Sequence, residues 1–167
     1  MLHAGVRCVL DTSVLTAGLR SRNGASFVLL QAVRVQRLVP LASPSLFLEY
    51  EDVLKREEQL EATAMTLASV DRFLGAFAVA IEPVEVHMRW RPQLRDTDDE
   101  LVLEAAVNGR AEALVTHNVR DFEDAAPRFG VPLLTPGQLL VQHRERLVGP
   151  FLPKPDIEPE RTKETKR

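Results

Sequence analysis

Asp11 is the first residue whose type and position could support catalysis. It ends the short apolar run 6–10, which is typical of a buried strand. Asn118 and Asp121 follow the carboxyl end of a second predicted strand, over 113–116. Ligands of open α/β sheets bind beyond the carboxyl ends of the strands, so we expect both strand ends to border one crevice. A carboxylate buried there needs water, a hydrogen bond or a cation.

Asp99 is a second candidate because of its place on a predicted helix over 97–108. It is three, four and seven positions from apolar residues of one helix face, so its side chain should lean toward the sheet. Thr97 and Glu100 are predicted to form the capping box of this helix. The capping box and the helix dipole explain why residue 100 is an acid, but neither requires an acid at position 99.

Glu49 is the third candidate acid. It lies on a predicted helix over 44–56 and shares helical spacing with the apolar residues Leu46 and Val53. An ordinary solvated helix acid is the alternative interpretation of Glu49. The alternative for Asp11 is a turn residue whose side chain caps the next backbone N–H.

Together, these acids predict a metal site. Carboxylates gathered at one crevice repel each other, which raises their pKa values, and a hard divalent cation removes that penalty. Mg²⁺ and Mn²⁺ prefer oxygen ligands and keep several waters. Such a cation orients the in-line attack of water on a phosphodiester and stabilises the leaving oxygen. We therefore expect Mg²⁺ or Mn²⁺ as the cofactor.

Other chemistries lack the residues that they need. The four histidines have no metal-ligand spacing, and there is no Gly-rich phosphate loop and no cysteine pair, which argues against zinc, P-loop and dinucleotide sites. The single cysteine, Cys8, is interpreted as a core residue. A metal-dependent adhesion module needs a hydroxyl where this chain has Leu15, and a haloacid-dehalogenase-type phosphatase needs an acid where it has Ser13.

Composition narrows the class of protein. The chain has 167 residues, 45% of them hydrophobic, which suits one domain. Its net charge of -3 creates no global field that attracts nucleic acid, so basic residues would act locally. A single cysteine and the lack of any run near the ~20 apolar residues that span a bilayer predict a soluble, cytoplasmic protein without a membrane partner.

The acids must be positioned by alternating strands and helices, an order typical of an α/β fold with a parallel sheet covered on both faces. Strands are predicted over 6–10, 38–42, 113–116 and 131–134, and helices over 25–37, 44–56, 57–80 (two), 97–108 and 136–143. Pro40 weakens the second strand, and Pro132 places the last one near an edge. Proline-rich, apolar-poor sequence begins after Gly149, so we expect a domain over 1–149 and a disordered tail over 150–167.

Four segments of this sequence resemble the motifs of PIN domains in order and spacing over roughly residues 6–140. The segment 9–15 (VLDTSVL) resembles the opening motif, and 49–54 (EYEDVL) resembles the second. The third is similar to 95–99 (RDTDD), and the fourth to 114–122 (LVTHNVRDF). Each motif alone is weak evidence, but four in register are strong.

The resemblance implies a three-layer α/β/α fold with a central parallel sheet and a Mg²⁺- or Mn²⁺-dependent ribonuclease. Many such proteins are toxins of bacterial toxin–antitoxin pairs, and the toxins are commonly dimers. It implies that Asp11 and Asp99 ligate the metal, directly or through water, and that Glu49 supports them or activates water. Ser13 and Thr116 would hydrogen-bond the acids.

The chain departs from the family pattern at Asn118, where many members carry Asp. A neutral amide would hold a second metal more weakly, and Asp121 would compensate in part. If the third motif aligns with this sequence in a shifted register, Asp96 takes the place of Asp99 as a metal ligand. The departure also leaves open a PIN domain that binds RNA or a partner protein without cleaving RNA.

Basic residues suggest where RNA would lie. Residues 12–48 contain four arginines and no acid, and Arg20 and Arg22 follow the Asp11 motif, so we expect this pair to line its rim and hold the RNA backbone. A solvated loop is the alternative. The segment 89–91 (RWR) is a candidate recognition loop for a base or a partner. Alternatively, Trp90 covers the end of the core.

Overall fold

A computed structural model describes residues 5–89 and 93–149. Within them, five strands form one sheet in the order β3-β2-β1-β4-β5, and every neighbouring pair is parallel. The strands are β1 (Val6–Leu10), β2 (Leu38–Ala42), β3 (Glu82–Pro83), β4 (Ala113–Val115) and β5 (Leu133–Leu134). Because β1 is the central strand, Asp11 lies in the middle of the end of the sheet that the carboxyl termini of the strands form.

Helices cover this sheet in the three-layer α/β/α arrangement that the sequence predicts. They are α1 (Thr12–Arg20), α2 (Ala25–Arg34), α3 (Pro44–Leu54), α4 (Glu57–Thr63), α5 (Leu67–Ala80), α6 (Thr97–Asn108), α7 (Pro136–Gln142) and α8 (Arg144–Leu147). None of the described helices is by itself long and apolar enough to cross a membrane, and only the bent pair α4 and α5 meets those criteria jointly.

The central strands are buried on both faces, as expected for a parallel sheet between helices. Val6, Cys8, Val9 and Leu10 of β1 have no exposed surface, so the interpretation of Cys8 as a core residue is confirmed. Tyr50 is also fully buried, and its hydroxyl donates a hydrogen bond to the carbonyl oxygen of Leu10. This bond connects α3 to the last residue before Asp11.

The second strand tolerates proline because of its neighbours. Pro40 pairs in register with Cys8 of β1, whereas β3 pairs only with Leu41 and Ala42. A proline cannot donate to a ladder, but β3 begins beyond Pro40 and needs no donor from it. The last strand, β5, lies at the sheet edge and is two residues long, in line with the expectation from Pro132.

Several elements differ from the sequence-based expectation: α8 has no predicted counterpart, α3 ends two residues before residue 56, and β5 is shorter than the strand predicted over 131–134. Helix α2 ends at Arg34 rather than residue 37, because the chain turns at Gln36, which has a φ of 60°. Helix α1 has no counterpart among the predicted elements. Strand β3 lies in a stretch interpreted as irregular, because two residues that include Pro83 carry no strand pattern.

The N-terminus of α6 is also built differently from the prediction of a Thr97–Glu100 capping box, which is wrong. The N-cap is Asp96, whose side chain accepts a hydrogen bond from the backbone N–H of Asp98 (2.9 Å). Glu100 is 3% exposed and accepts hydrogen bonds from the backbone N–H groups of Gln93 and Leu94 instead. It anchors the segment that enters α6.

Two expectations fall on residues outside the described part of the chain. The recognition loop over 89–91 includes Trp90 and Arg91, and of its three residues only Arg89 is described. The tail over 150–167 also lies beyond the described residues.

Candidate active site

The carboxylate of Asp11 lies at the carboxyl end of β1, where the chain turns into α1. The backbone N–H of Asp11 donates a hydrogen bond to the carbonyl oxygen of Val115 (2.9 Å), which extends the β1–β4 pairing by one residue. The residue is only 4% exposed. Although Asp11 is the N-cap of α1, its side chain makes no capping bond, so the interpretation of Asp11 as a turn-capping residue is wrong.

The two oxygens of this carboxylate have different surroundings. Oδ2 accepts hydrogen bonds from the hydroxyls of Ser13 (2.8 Å) and Thr116 (2.7 Å). Among the described residues, Oδ1 accepts only a long bond from the Thr12 hydroxyl (3.3 Å). Because Oδ2 is occupied by two donors, Oδ1 is the oxygen with lone pairs available to a cation.

Backbone groups orient both hydroxyls. The Ser13 hydroxyl oxygen accepts a hydrogen bond from the backbone N–H of His117 (3.2 Å), and the Thr116 hydroxyl oxygen accepts one from that of Asn118 (2.9 Å). Each hydroxyl therefore keeps its proton for Asp11. The loop after β4 thus holds the Asp11 carboxylate in one orientation.

Asp99 lies in the first turn of α6 and is partly exposed. Burial raises the pKa of Asp99 to about 7, and the carboxylates of Asp11, Asp96, Asp121 and Asp98 add to this rise. A carboxylate held among other acids favours either a proton or a cation. The fold therefore brings Asp11, Asp99 and Asp121 together from three separate segments of the chain.

Glu49 on α3 belongs to a second group of charges. Its side chain is 14% exposed, and burial followed by repulsion from Asp98 and Asp52 raises the pKa of Glu49. Arg56, whose guanidinium lies 4.0 Å from the Glu49 carboxylate, acts in the opposite direction. The acid of α6 next to Glu49 is therefore Asp98 rather than Asp99.

Asp98 is the residue that sequence reasoning missed. The helix dipole accounts for an acid near this helix N-terminus, so helical position alone does not single out Asp98. The structure places it beside Glu49 and among the acids that raise the pKa of Asp99. The signal that could have found it is its position inside the third motif, directly before Asp99.

The remaining positions of the acidic motifs lie near Asp11 and Asp99. Asp121 is exposed and ends the 3-10 helix Val119–Asp121. Asn118 precedes this helix, is exposed, and makes no side-chain capping bond. Asp96 is partly engaged as the N-cap of α6, which makes it a weaker candidate ligand than Asp99.

Arg20 and Arg22 are exposed but lie farther from Asp11 than the sequence suggested. Helix α1 separates Arg20 from Asp11 by nine residues, or roughly 13 Å at the rise of an α-helix. That Arg20 and Arg22 hold the RNA backbone stays a prediction.

A divalent cation fits this arrangement in one specific way. Among the described residues, no group of three or more His, Cys, Asp or Glu side chains is close enough to hold a metal ion by itself. Mg²⁺ commonly binds through one or two carboxylates and keeps several waters. Asp11, with its available Oδ1, and Asp99, whose carboxylate is repelled by its neighbours, are the two side chains that could provide such ligands.

Comparison with known protein families agrees with the four motifs. A family model described as the PIN domain matches residues 7–120, a span that includes Asp11, Glu49, Asp99 and Asn118. No curated protein and no solved structure gives a significant match. PIN domains are generally nucleases that act on nucleic acid and typically use divalent metal ions. With more than half of its length matched, the chain belongs to the PIN-domain family.

Proposed function

We propose that this protein is a Mg²⁺- or Mn²⁺-dependent endoribonuclease that hydrolyses RNA phosphodiester bonds. The observation that carries the proposal is the pair of carboxylates Asp11 and Asp99. One has an oxygen with few donors, and the pKa of the other is raised to about 7 by burial and by neighbouring acids. Two such carboxylates repel each other in the absence of a cation.

Asp11 and Asp99 would hold the cation. Ser13 and Thr116 keep the Asp11 carboxylate fixed, so that Oδ1 is presented without rearrangement. When bound, Mg²⁺ or Mn²⁺ supplies positive charge that orients a water molecule and offsets the charge that develops on the phosphate. Asp121, exposed at the rim, would add a further acid near the same position.

Glu49 would act as the general base of the reaction, because its neighbour Asp98 also acts on the pKa of Asp99 and so connects Glu49 to the two metal-holding carboxylates. Its raised pKa makes it a better proton acceptor than an ordinary surface glutamate. The water oxygen forms a bond to phosphorus, one ester P–O bond breaks, and the proton lost by the water is taken up at Glu49. The departing ribose oxygen takes its proton from solvent.

The test is cleavage of an end-labelled single-stranded RNA with Mn²⁺ and with EDTA. Asp11→Asn and Asp99→Asn should each lower the rate about 100-fold or more. Asp71→Asn is a matched control, because the Asp71 side chain is 62% exposed on α5 and pairs with Lys55, away from the acids. Circular dichroism checks that each variant is folded. Unchanged cleavage in folded Asp99→Asn would contradict the assignment.

The biological role that the family resemblance supports is that of a bacterial toxin paired with an antitoxin protein. We infer that the protein acts in the cytoplasm and assembles as a homodimer, as PIN toxins commonly do. Expression of the chain should arrest growth, and co-expression of the adjacent gene should restore it. Asp99→Asn is the control, since growth arrest by that variant would argue against a toxin that acts through RNA cleavage.

A second candidate function is an RNA- or partner-binding PIN domain with little or no cleavage. It is favoured by the neutral Asn118 and by the lack of a group of three metal-binding side chains among the described residues. The same assay separates the two functions. A binding module retains labelled RNA in EDTA and leaves it intact when Mn²⁺ is added.

A further inference from the structure

His117 has an imidazole that the proposed reaction does not use. Its Nε2 lies 2.7 Å from the hydroxyl oxygen of Ser26, in the first turn of α2. The residue is otherwise exposed, so the ring stands at the surface while one of its nitrogens is held. The bond connects α2 to the residue between Thr116 and Asn118.

The environment of Ser26 decides which nitrogen carries the proton. Ser26 is 3% exposed, and among the described residues its hydroxyl has no hydrogen-bond partner other than His117. A buried hydroxyl proton without an acceptor is costly, so Ser26 donates to Nε2. The neutral ring then carries its proton on Nδ1, which becomes a donor for a ligand.

Hydrogen bonds connect His117 both to the acids and to the start of α2, the helix that follows Arg22 in the chain. On one side, the backbone N–H of His117 bonds to Ser13, which in turn bonds to Asp11. On the other side, Ser26 follows Arg22 by four residues. An RNA strand that runs from the acids toward the start of α2 would therefore pass His117.

We propose that His117 is an RNA-binding residue whose Nδ1–H donates to a phosphate oxygen next to the phosphate that is cleaved. Ser26 is the positioning residue that holds the ring for this contact. The proposal rests on the nuclease function above, because it takes the acids as the site of cleavage. It assigns His117 to holding the substrate and not to the metal.

The test is fluorescence anisotropy of a labelled single-stranded RNA in EDTA, where no cleavage occurs. His117→Ala should weaken binding about fivefold to tenfold, and Ser26→Ala should weaken it about twofold to threefold, because the ring remains but is no longer oriented. Mn²⁺ affinity, measured separately by calorimetry, should be unchanged in both variants. His87→Ala is the matched control, since the His87 side chain is 74% exposed and pairs with Glu85.

Two results would overturn the proposal. In the first, His117→Ala binds RNA as tightly as His87→Ala does. In the second, His117→Ala loses Mn²⁺ affinity while RNA binding is retained, so that the residue acts through Ser13 and Asp11. A nuclease assignment that fails is recognised separately, by the absence of Mn²⁺-dependent cleavage in the unaltered protein.

Discussion

Among the neighbouring carboxylates, Asp11 contributes most to the raised pKa of Asp99, although β1 and α6 are far apart in the chain. Burial of Asp99 is the first cause of its raised pKa, and repulsion from Asp11 is the second. The pair is therefore unfavourable in the metal-free protein at neutral pH. The pair becomes favourable when a cation binds to the two groups or when Asp99 takes up a proton.

Asp99→Asn should stabilise the metal-free protein at pH 8 and have little effect at pH 4. The pKa of Asp99 is about 7 in the folded state, against 3.8 for an unperturbed aspartate. The native state thus loses stability as pH rises between these values, and the loss persists above pH 7. After a discount for solvent screening, we expect a gain of about 1–2 kcal/mol in urea unfolding with EDTA. An equal stability of both proteins at pH 8 would disprove the repulsion.

Mn²⁺ should raise the melting temperature more at pH 8 than at pH 5.5. Below the folded-state pKa of about 7, Asp99 holds a proton that the cation must displace, so affinity falls as pH falls. Differential scanning fluorimetry with and without Mn²⁺, at a concentration on the order of 1 mM, measures this shift. Asp99→Asn should show little Mn²⁺ effect at either pH, and a full shift in that variant would contradict the prediction.

Thr116→Val should lower cleavage about tenfold to 100-fold while the protein remains folded. Valine has nearly the same shape but no hydroxyl, so Oδ2 of Asp11 loses the donor at 2.7 Å and the backbone N–H of Asn118 loses its acceptor. Thr116→Ser keeps the hydroxyl and should retain most of the activity. The comparison is made on cleavage rates at saturating Mn²⁺, and similar losses in both variants would point to packing rather than to the hydroxyl.

Tyr50→Phe should destabilise the protein by about 1–2 kcal/mol. Its hydroxyl is fully buried and donates to the carbonyl oxygen of Leu10, which would be left without this partner. The phenyl ring keeps its edge contact with Phe77, whose centroid is 5.9 Å away, so packing is preserved. Urea unfolding at pH 7 measures the change. A loss near zero would mean that water replaces the hydroxyl.

The double variant Arg20→Ala/Arg22→Ala should reduce the salt dependence of RNA binding. Loss of two phosphate contacts on a single strand lowers the slope of log K against log salt by about 1.4. Arg72→Ala/Arg144→Ala, which removes two exposed arginines of α5 and α8, is the matched control and should leave the slope unchanged. Identical slopes for the two double variants would indicate that the loop after α1 does not contact RNA.

Local patterns in the sequence were sufficient for the strand that ends before Asp11, its neighbour β2, and the helix that carries Asp99. The bounds of β1, β2 and α6 follow from short apolar runs and from helical spacing, because burial on a sheet or helix face imposes a period on the chain. The four motifs likewise identified the family and the positions of Asp11, Glu49 and Asp99. These features depend on neighbours within a few residues.

Only the tertiary structure decided which side chains meet. Strand order places the Thr116 hydroxyl on Asp11, and the packing of α3 against α6 puts Glu49 beside Asp98 rather than Asp99. Ser26 and His117 carry no local signal of their contact. Such pairings depend on long-range packing, since electrostatic and hydrogen-bond energies vary with distances that no short stretch of sequence specifies.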